Sequence, residues 1–343
     1  MSKLNVIDKF IFFINSVLAT LLLLSYILPF FQPKHFTLLS VLSLTVPVLI
    51  IINVLFVLYW LLKLKLQMLL SFLVLVFGYF YMGTLFKIGG STVAENANTI
   101  SIMSYNVRLF NIYDWIPNTD VGKDISNFVK SEQPDILSLQ EYHPNNKSID
   151  FSFYKYSYIQ LAGEKKQFGQ AIFSQYPIVN KGSIKFPNTP NNAIFADVVK
   201  NNDTIRVYNI HLQSLRINTQ VEALKKEDSA RLLKSIGQSF AMQQDQTELF
   251  LEHKKTCKYK MIITGDLNNT AYSYVYRMIR GNLDDTFKEA GTGFGKTFNF
   301  KFFPVRIDFI FADGANFTIN SFKTFNDEVH SDHYPIMTTL SLH

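Results

Sequence analysis

Met261-Ile262-Ile263-Thr264-Gly265-Asp266-Leu267-Asn268-Asn269-Thr270 passes from an apolar run to a small residue and then to two polar side chains at alternate positions. Read as a buried strand, the run brings Asp266 and Asn268 out on one side at its end, where α/β proteins commonly keep their chemistry. Read alone, the same residues make a strand followed by an Asx-type turn. The rest of the chain has to decide between the two.

Short apolar runs separated by turn residues recur from residue 99 to the C-terminus. They predict strands over 99–105, 136–140, 171–174, 193–199, 205–211, 261–265, 307–311 and 336–342. Amphipathic stretches predict a helix over 123–130 and a longer one within 229–254. Strands alternating with helices make this part an α/β domain.

The ends of these runs share a chemistry. The first runs into Asn106, the second into Glu141, the fifth into His211 and the sixth into Asp266 and Asn268. Arg306-Ile307 leads to Asp308, and Ser331-Asp332-His333 opens the last strand. Six ends bearing Asn, Glu, Asp and His point to one convergent site. Four carboxylates in one cleft repel by about 4 kcal/mol per pair at 4 Å and an effective dielectric near 20. A hard divalent cation resolves this, and Mg²⁺ suits one or two carboxylates together with phosphate oxygens. With histidines alongside, the set points to metal-assisted phosphoester hydrolysis, with a phosphoester as the partner.

The motifs Ser104-Tyr105-Asn106, Leu139-Gln140-Glu141, Asn209-Ile210-His211, Gly265-Asp266-Leu267-Asn268, Arg306-Ile307-Asp308 and Ser331-Asp332-His333 resemble, in order and spacing, those of the endonuclease/exonuclease/phosphatase superfamily. That superfamily includes DNase I, apurinic endonucleases, neutral sphingomyelinases and inositol polyphosphate 5-phosphatases. The resemblance covers 99–343 and implies two packed β-sheets flanked by helices, a four-layer DNase I-like sandwich with the site at one end. It implies Glu141 as principal metal ligand, with Asn106 and Asp332 close to a Mg²⁺ or Mn²⁺ ion or its waters. Asp266 would orient or deprotonate the attacking water, with Asn268 holding that water or a phosphate oxygen. Asp308 and His333 resemble the acid–histidine pair in which the acid fixes the imidazole and the imidazole meets phosphate. His211 would face the leaving group or phosphate, and it also reads as a satisfied core histidine. Arg306 reads equally as a structural partner of an acid or as a substrate contact.

Residues 10–31, 36–62 and 66–86 are almost unbroken apolar runs, each about the 20 residues a helix needs to cross a bilayer. They predict three transmembrane helices, because a signal peptide would not be followed by two further runs. Residues 1–87 hold six lysines against one acid and so carry five of the six net positive charges. The basic pI is therefore no sign of a nucleic-acid surface on the remaining 256 residues. The flanking lysines put the N-terminus and the loop at Lys63 and Lys65 in the cytoplasm. Three crossings then leave the catalytic part on the periplasmic or outer side of a bacterial inner membrane. The domains expected are a transmembrane anchor over 1–87, a linker over 88–98 and a catalytic domain over 99–343.

The lone Cys257 excludes an intramolecular disulfide and a cysteine metal cluster. Lys225, Lys226, Lys254 and Lys255 lie among Glu222, Glu227 and Asp228, which reads as a solvated helical face. Phe298, Phe300, Phe302 and Phe303 read first as core packing and second as a lipid-facing lip. The function expected is a membrane-anchored, divalent-metal-dependent phosphoesterase acting on a phospholipid-like or other small phosphoester. The alternatives are a nuclease acting on DNA or RNA, and a non-catalytic membrane binding protein that keeps the fold. No obligate protein partner is inferred.

Overall fold

The structure, a computed structural model, describes residues 4–79, 85–90, 98–117, 119–144, 148–162, 167–215 and 229–343. The apolar runs fold as helices α1 (Val6–Ser25), α2 (Thr37–Leu42), α3 (Val46–Leu62) and α4 (Met68–Phe77). Two stretches, Val6–Phe30 and Thr37–Leu62, are long and apolar enough to cross a membrane. The third span expected over 66–86 is not among them. Helix α4 has ten described residues, about 15 Å of rise, which is about half of a bilayer's hydrocarbon thickness. A turn in which Leu64 takes a left-handed conformation precedes it, and Gly78 caps it. A Cβ at Gly78 would lie 2.0 Å from the Tyr26 hydroxyl, so the Tyr26 ring occupies the space a side chain would take here. Residues 80–84 lie outside the described residues.

Among the polar residues of these apolar helices, Asn15, Asn53 and Ser71 are fully buried where the helices meet. The Asn15 amide donates to Ser71 Oγ (2.6 Å), Ser71 Oγ donates to Asn53 Oδ1 (2.7 Å), and the Trp60 indole donates to Asn15 Oδ1 (2.8 Å). In an apolar medium such bonds fix helix register, because a slipped helix would strand the polar groups. At one end of the bundle Asp8 pairs with Lys63. At the other, Arg277 Nε donates to the Pro29 carbonyl (2.9 Å) and Lys34 pairs with Glu248 (3.0 Å). The bundle thus has a lysine-bearing end and an end seated on the rest of the chain.

Twelve strands are described: β1 (Thr99–Asn106), β2 (Ile136–Tyr142), β3 (Tyr156–Ala162), β4 (Phe168–Ser174), β5 (Ile178–Lys185), β6 (Asn192–Lys200), β7 (Asp203–His211), β8 (Lys260–Asp266), β9 (Asp284–Asp285), β10 (Asp308–Ala312), β11 (Phe317–Thr324) and β12 (Ile336–Leu342). Helices α5 (Val121–Glu132), α6 (Ser229–Lys255), α7 (Tyr274–Arg280) and α8 (Thr286–Ala290) connect them. One sheet has the order β11-β12-β1-β2-β4-β3 and the other β5-β6-β7-β8-β10-β9. Within them β1–β2 and β7–β8 are parallel, the first pair joined through α5 and the second through a connection that includes α6.

Period-two alternation sorts each strand between two cores. Ile100, Ile102, Ile136, Val207, Ile262 and Ile310 meet between the sheets. The opposite residues pack outward: Met103, Tyr105, Leu137 and Leu139 against Val121, Ile125 and Val129 of α5. On the other side Tyr208, Ile263 and Phe309 pack against Phe250 of α6 and Val275 and Ile279 of α7. The fourfold spacing on α5 forms one buried stripe. The helix starts at Asp120, whose side chain accepts the Lys123 N–H, and stops at Gln133, which is left-handed. The result is the four-layer arrangement of helices, two sheets and helices.

Candidate active site

The positions that are isoleucine or valine in the middle of the inter-sheet core become polar towards one end of the same strands. On β1 the inward series is Ile100, Ile102, Ser104, Asn106, and on β7 it is Ile205, Val207, Asn209, His211. On β8 it is Ile262, Thr264, Asp266, and β10 begins with Asp308. Register aligns these ends: His211 and Asp308 are both cross-strand partners of Asp266, and Asn106 is the partner of Gln140. A polar floor separates site from core. There the Gln140 amide donates to Asn209 Oδ1 in the opposite sheet (2.6 Å) and to Ser104 Oγ (3.1 Å).

Glu141 reaches the site by breaking the alternation. As the neighbour of inward-facing Gln140 it belongs on the outer face. The β2–β4 pairing shifts register between Leu139 and Tyr142, and Glu141 itself has a φ of +53°. This bulge turns its carboxylate back, to 3.4 Å from Asn106 Nδ2. A left-handed non-glycine residue costs about 1–2 kcal/mol, so the aim is held against strain. Gly265 answers a different need: its φ is +145°, and a Cβ there would lie 2.0 Å from the Ile210 carbonyl oxygen. Only glycine brings β7 and β8 this close beneath Asp266.

Around Asp266 the donors are arranged. Its Oδ1 accepts the Asn268 N–H (2.7 Å), and its Oδ2 accepts the Asn106 and Asn268 amides (3.0 and 3.2 Å). His333 Nε2 lies 3.7 Å from the same Oδ2, and His333 Nδ1 lies 3.0 Å from Asp308. Burial pushes the Asp266 carboxyl up to about 7, opposed chiefly by the charge on His333. Burial works against a cation at His333, yet Asp308 and Asp266 outweigh it and raise the imidazole to about 10. It is therefore an imidazolium at neutral pH. His211 is the opposite case: burial, and then His333, lower it to about 3, so it is neutral. Its buried Nε2 has no hydrogen-bond partner among the described residues and lies 3.8 Å from Glu141 and 3.7 Å from Asp266. Glu141 and Asp332 are partly exposed, and they mark the open side.

Residues 103–333 match the model of the Endonuclease/Exonuclease/phosphatase family. The chain belongs to the endonuclease/exonuclease/phosphatase family. It is thereby a metal-dependent phosphoric ester hydrolase. A domain of unknown function matches 8–85, and no curated protein matches the chain. Among solved structures, one of this family from Bacteroides vulgatus is similar at 18% identity and a TM-score of 0.54, covering 71% of this chain and 99% of that one. D. rerio TDP2 complexed with a single-strand DNA product aligns at 18% identity and a TM-score of 0.53, covering 71% and 99%. The human nocturnin catalytic domain with bound sulfate aligns at 17% and 0.52, covering 74% and 97%.

The family uses a divalent metal, and the donor set of this chain fits one. Asp266, Asp308 and His333 offer ligand atoms within 4.8 Å of one another, with Glu141 alongside. The carboxyl of Glu141 is raised by burial, a cost that a nearby cation removes. Asn106 meets the acids through its amide nitrogen, because its Oδ1 is taken by the Arg108 N–H (3.1 Å).

Arg306, a candidate substrate contact from the sequence, is not brought to the site. Its guanidinium makes two bonds to Asp285 (3.0 and 2.8 Å) and lies over the rings of Phe287 and Phe309. Its place in a family motif is explained by this buried pair. Two features escaped the sequence reading. Gln140 and Asn209 form the floor, and their pairing across the sheets needs the fold to be seen. Arg108 stands at the rim, 3.2 Å from Asp332 and stacked on Trp115 at 4.2 Å. It leads a run of four left-handed residues, Arg108 to Asn111, that no turn glycine announces.

Proposed function

We propose that this chain is a membrane-anchored phosphodiesterase that hydrolyses a phospholipid-like phosphoester at the strand ends bearing Glu141, Asp266 and His333. The observation that carries the chemistry is the unpartnered Nε2 of His211 beside the buried cluster of Asp266, Asp308 and His333 and the partly exposed Glu141. A buried polar atom without a partner is uncommon unless a ligand satisfies it.

Glu141 would hold the divalent ion, with Asp332 beside it and Asn106 fixing the carboxylates. When bound, the ion would neutralise charge that builds on the phosphate oxygens. Asp266 would take the proton of the attacking water, its carboxylate fixed by Asn106 and Asn268 so that one lone pair faces the substrate. Asn268 would hold that water or a phosphate oxygen. The His333 cation, fixed through Nδ1 by Asp308, would turn Nε2 to a phosphate oxygen. Neutral His211 would offer Nε2 to the phosphate or leaving group. Arg108, held at the rim by Asp332 and the Trp115 ring, would meet the incoming phosphate. Arg108→Ala is expected to lower kcat/KM for bis-p-nitrophenyl phosphate about tenfold, equal to about 1.4 kcal/mol, without a change in melting temperature. Unchanged kinetics would remove it from the site.

Residues 1–87 are the anchor in this reading, 88–98 the linker and 99–343 the enzyme. The bundle's lysine-bearing end carries Lys9, Lys63 and Lys65, and its other end is seated on the enzyme. The positive-inside bias then places the enzyme across the membrane from those lysines, on the periplasmic or outer side. A second reading, single-stranded nucleic acid as substrate, is favoured by the DNA product on the similar TDP2 structure. Against it, residues 88–343 carry only one of the six net positive charges. Sphingomyelin or phosphatidylglycerol in mixed micelles and plasmid DNA, offered in parallel to the full chain, separate the two. Faster turnover of lipid is expected, and faster turnover of DNA would reverse the assignment.

A further inference from the structure

We infer that the enzyme carries a groove for an anionic phospholipid drawn from its own bilayer, an inference that rests on the lipid-phosphoester reading and says where such a substrate lies. A cavity of about 630 Å³ is lined by residues of the segment 292–304, by the end of β11 and by Tyr334. Its lining includes Lys296, Lys301 and Lys323 and, among the described residues, no acid. Phe300 packs on Phe302 and Phe303 along the same wall, at 5.2 and 5.0 Å. Phe302 is nevertheless 58% exposed. Lysines among exposed phenylalanines match a molecule with an anionic head and an apolar tail.

The neighbours of the groove fix its meaning. Tyr334 in its lining is the chain neighbour of His333, and the Lys296 ammonium lies 5.3 Å over the Tyr334 ring. Phe294, Phe303 and Pro304 of the lining also border a small cleft that contains Pro47 and Leu85 from the N-terminal helical region. Phe86 packs on Phe294 (4.8 Å), and the Lys87 N–H donates to the Gly293 carbonyl (2.8 Å). The groove therefore borders the seat of the anchor, and one of its lining residues adjoins His333 in the chain. A lipid head group entering at the membrane surface would meet lysines first, and its acyl chains would lie on the phenylalanines. Phenylalanine and lysine also suit a single strand of nucleic acid. The opening beside the anchor favours lipid, since an anionic bilayer surface repels a polyanion.

The test uses the full chain in a zwitterionic detergent, titrated calorimetrically with dioctanoyl phosphatidylglycerol, dioctanoyl phosphatidylcholine and an oligo-dT. Saturable binding of phosphatidylglycerol, tighter than of phosphatidylcholine, is expected. Lys301→Glu and Phe302→Asp, both at exposed positions, should each weaken it at least about tenfold. Lys185→Glu makes the same charge change on β5, at the edge of the other sheet, and should bind as the wild type does. Absence of saturable phosphatidylglycerol binding, equal loss in Lys185→Glu, or tighter binding of oligo-dT that Phe302→Asp abolishes would each overturn the groove. Binding requires no turnover. A chain that binds phosphatidylglycerol through these residues and hydrolyses no lipid would retain the groove and refute the lipid-hydrolase reading.

Discussion

Asp266→Ala is expected to lower turnover of bis-p-nitrophenyl phosphate by about three orders of magnitude, roughly 4 kcal/mol of barrier. Three donors converge on this carboxylate, from Asn106, the Asn268 amide and the Asn268 backbone. So many bonds to one buried acid fix its direction, and a proton acceptor depends on direction as much as on basicity. Asp266→Asn keeps the shape and loses the charge, so it should lose nearly as much activity. Removing the carboxylate strands its donors but also relieves repulsion by Asp308, so folding stability should change by no more than about 2 kcal/mol. Initial rates measured beside thermal melts decide it. A folded Asp266→Ala protein within tenfold of wild-type turnover would show that the proton goes elsewhere.

Arg306→Ala, by contrast, should act on folding. Arg306 and Asp285 are both buried, and the Tyr276 hydroxyl also donates to Asp285 (2.7 Å). Burial alone would raise the Asp285 carboxyl, but Arg306 and Tyr276 hold it below its ordinary value. Taking away the guanidinium leaves an uncompensated buried charge, which costs about 3–5 kcal/mol. The double variant Arg306→Ala/Asp285→Ala should be less destabilised than the two single changes added together. The sign with pH follows from the depressed carboxyl. Its contribution is complete above the unfolded value of about 3.9 and is lost as pH falls through the lower folded value. Wild-type stability should therefore drop below about pH 4, and Asp285→Asn should flatten that drop. Urea melts across pH 3 to 8 provide the check. A variant of normal stability with a raised KM would instead return Arg306 to the substrate.

How far the sequence revealed this fold depends on where each strand lies. The strands at 99–105, 205–211 and 336–342 were legible because both their faces are buried, so they read as apolar runs. The strands not anticipated, β3, β5, β9 and β11, are the four sheet edges. Each pairs on one side only, and tracts such as Ile178-Val179-Asn180-Lys181 carry the polar residues that edges tolerate. The site was legible for the same reason as the central strands, since an inward position that turns polar at a strand end stands out. Glu141 could be named from its motif but not aimed, because its aim depends on a bulge and a positive φ. Arg306 sits two residues before the site strand β10, and sequence distance could not show that its side chain turns away to Asp285. In the N-terminal helices, hydropathy counted 66–86 as a span without seeing that the turn at Leu64 and the cap at Gly78 limit the described helix α4 to ten residues.

A metal-dependent phosphoesterase site formed by Glu141, Asp266 and His333 is tested by stripping the full chain with EDTA and following hydrolysis of bis-p-nitrophenyl phosphate while Mg²⁺ or Mn²⁺ is added back. Turnover should vanish on stripping, return saturably with the cation, and fail to return in Glu141→Ala. Full turnover after complete metal removal, or full recovery in Glu141→Ala, would contradict it.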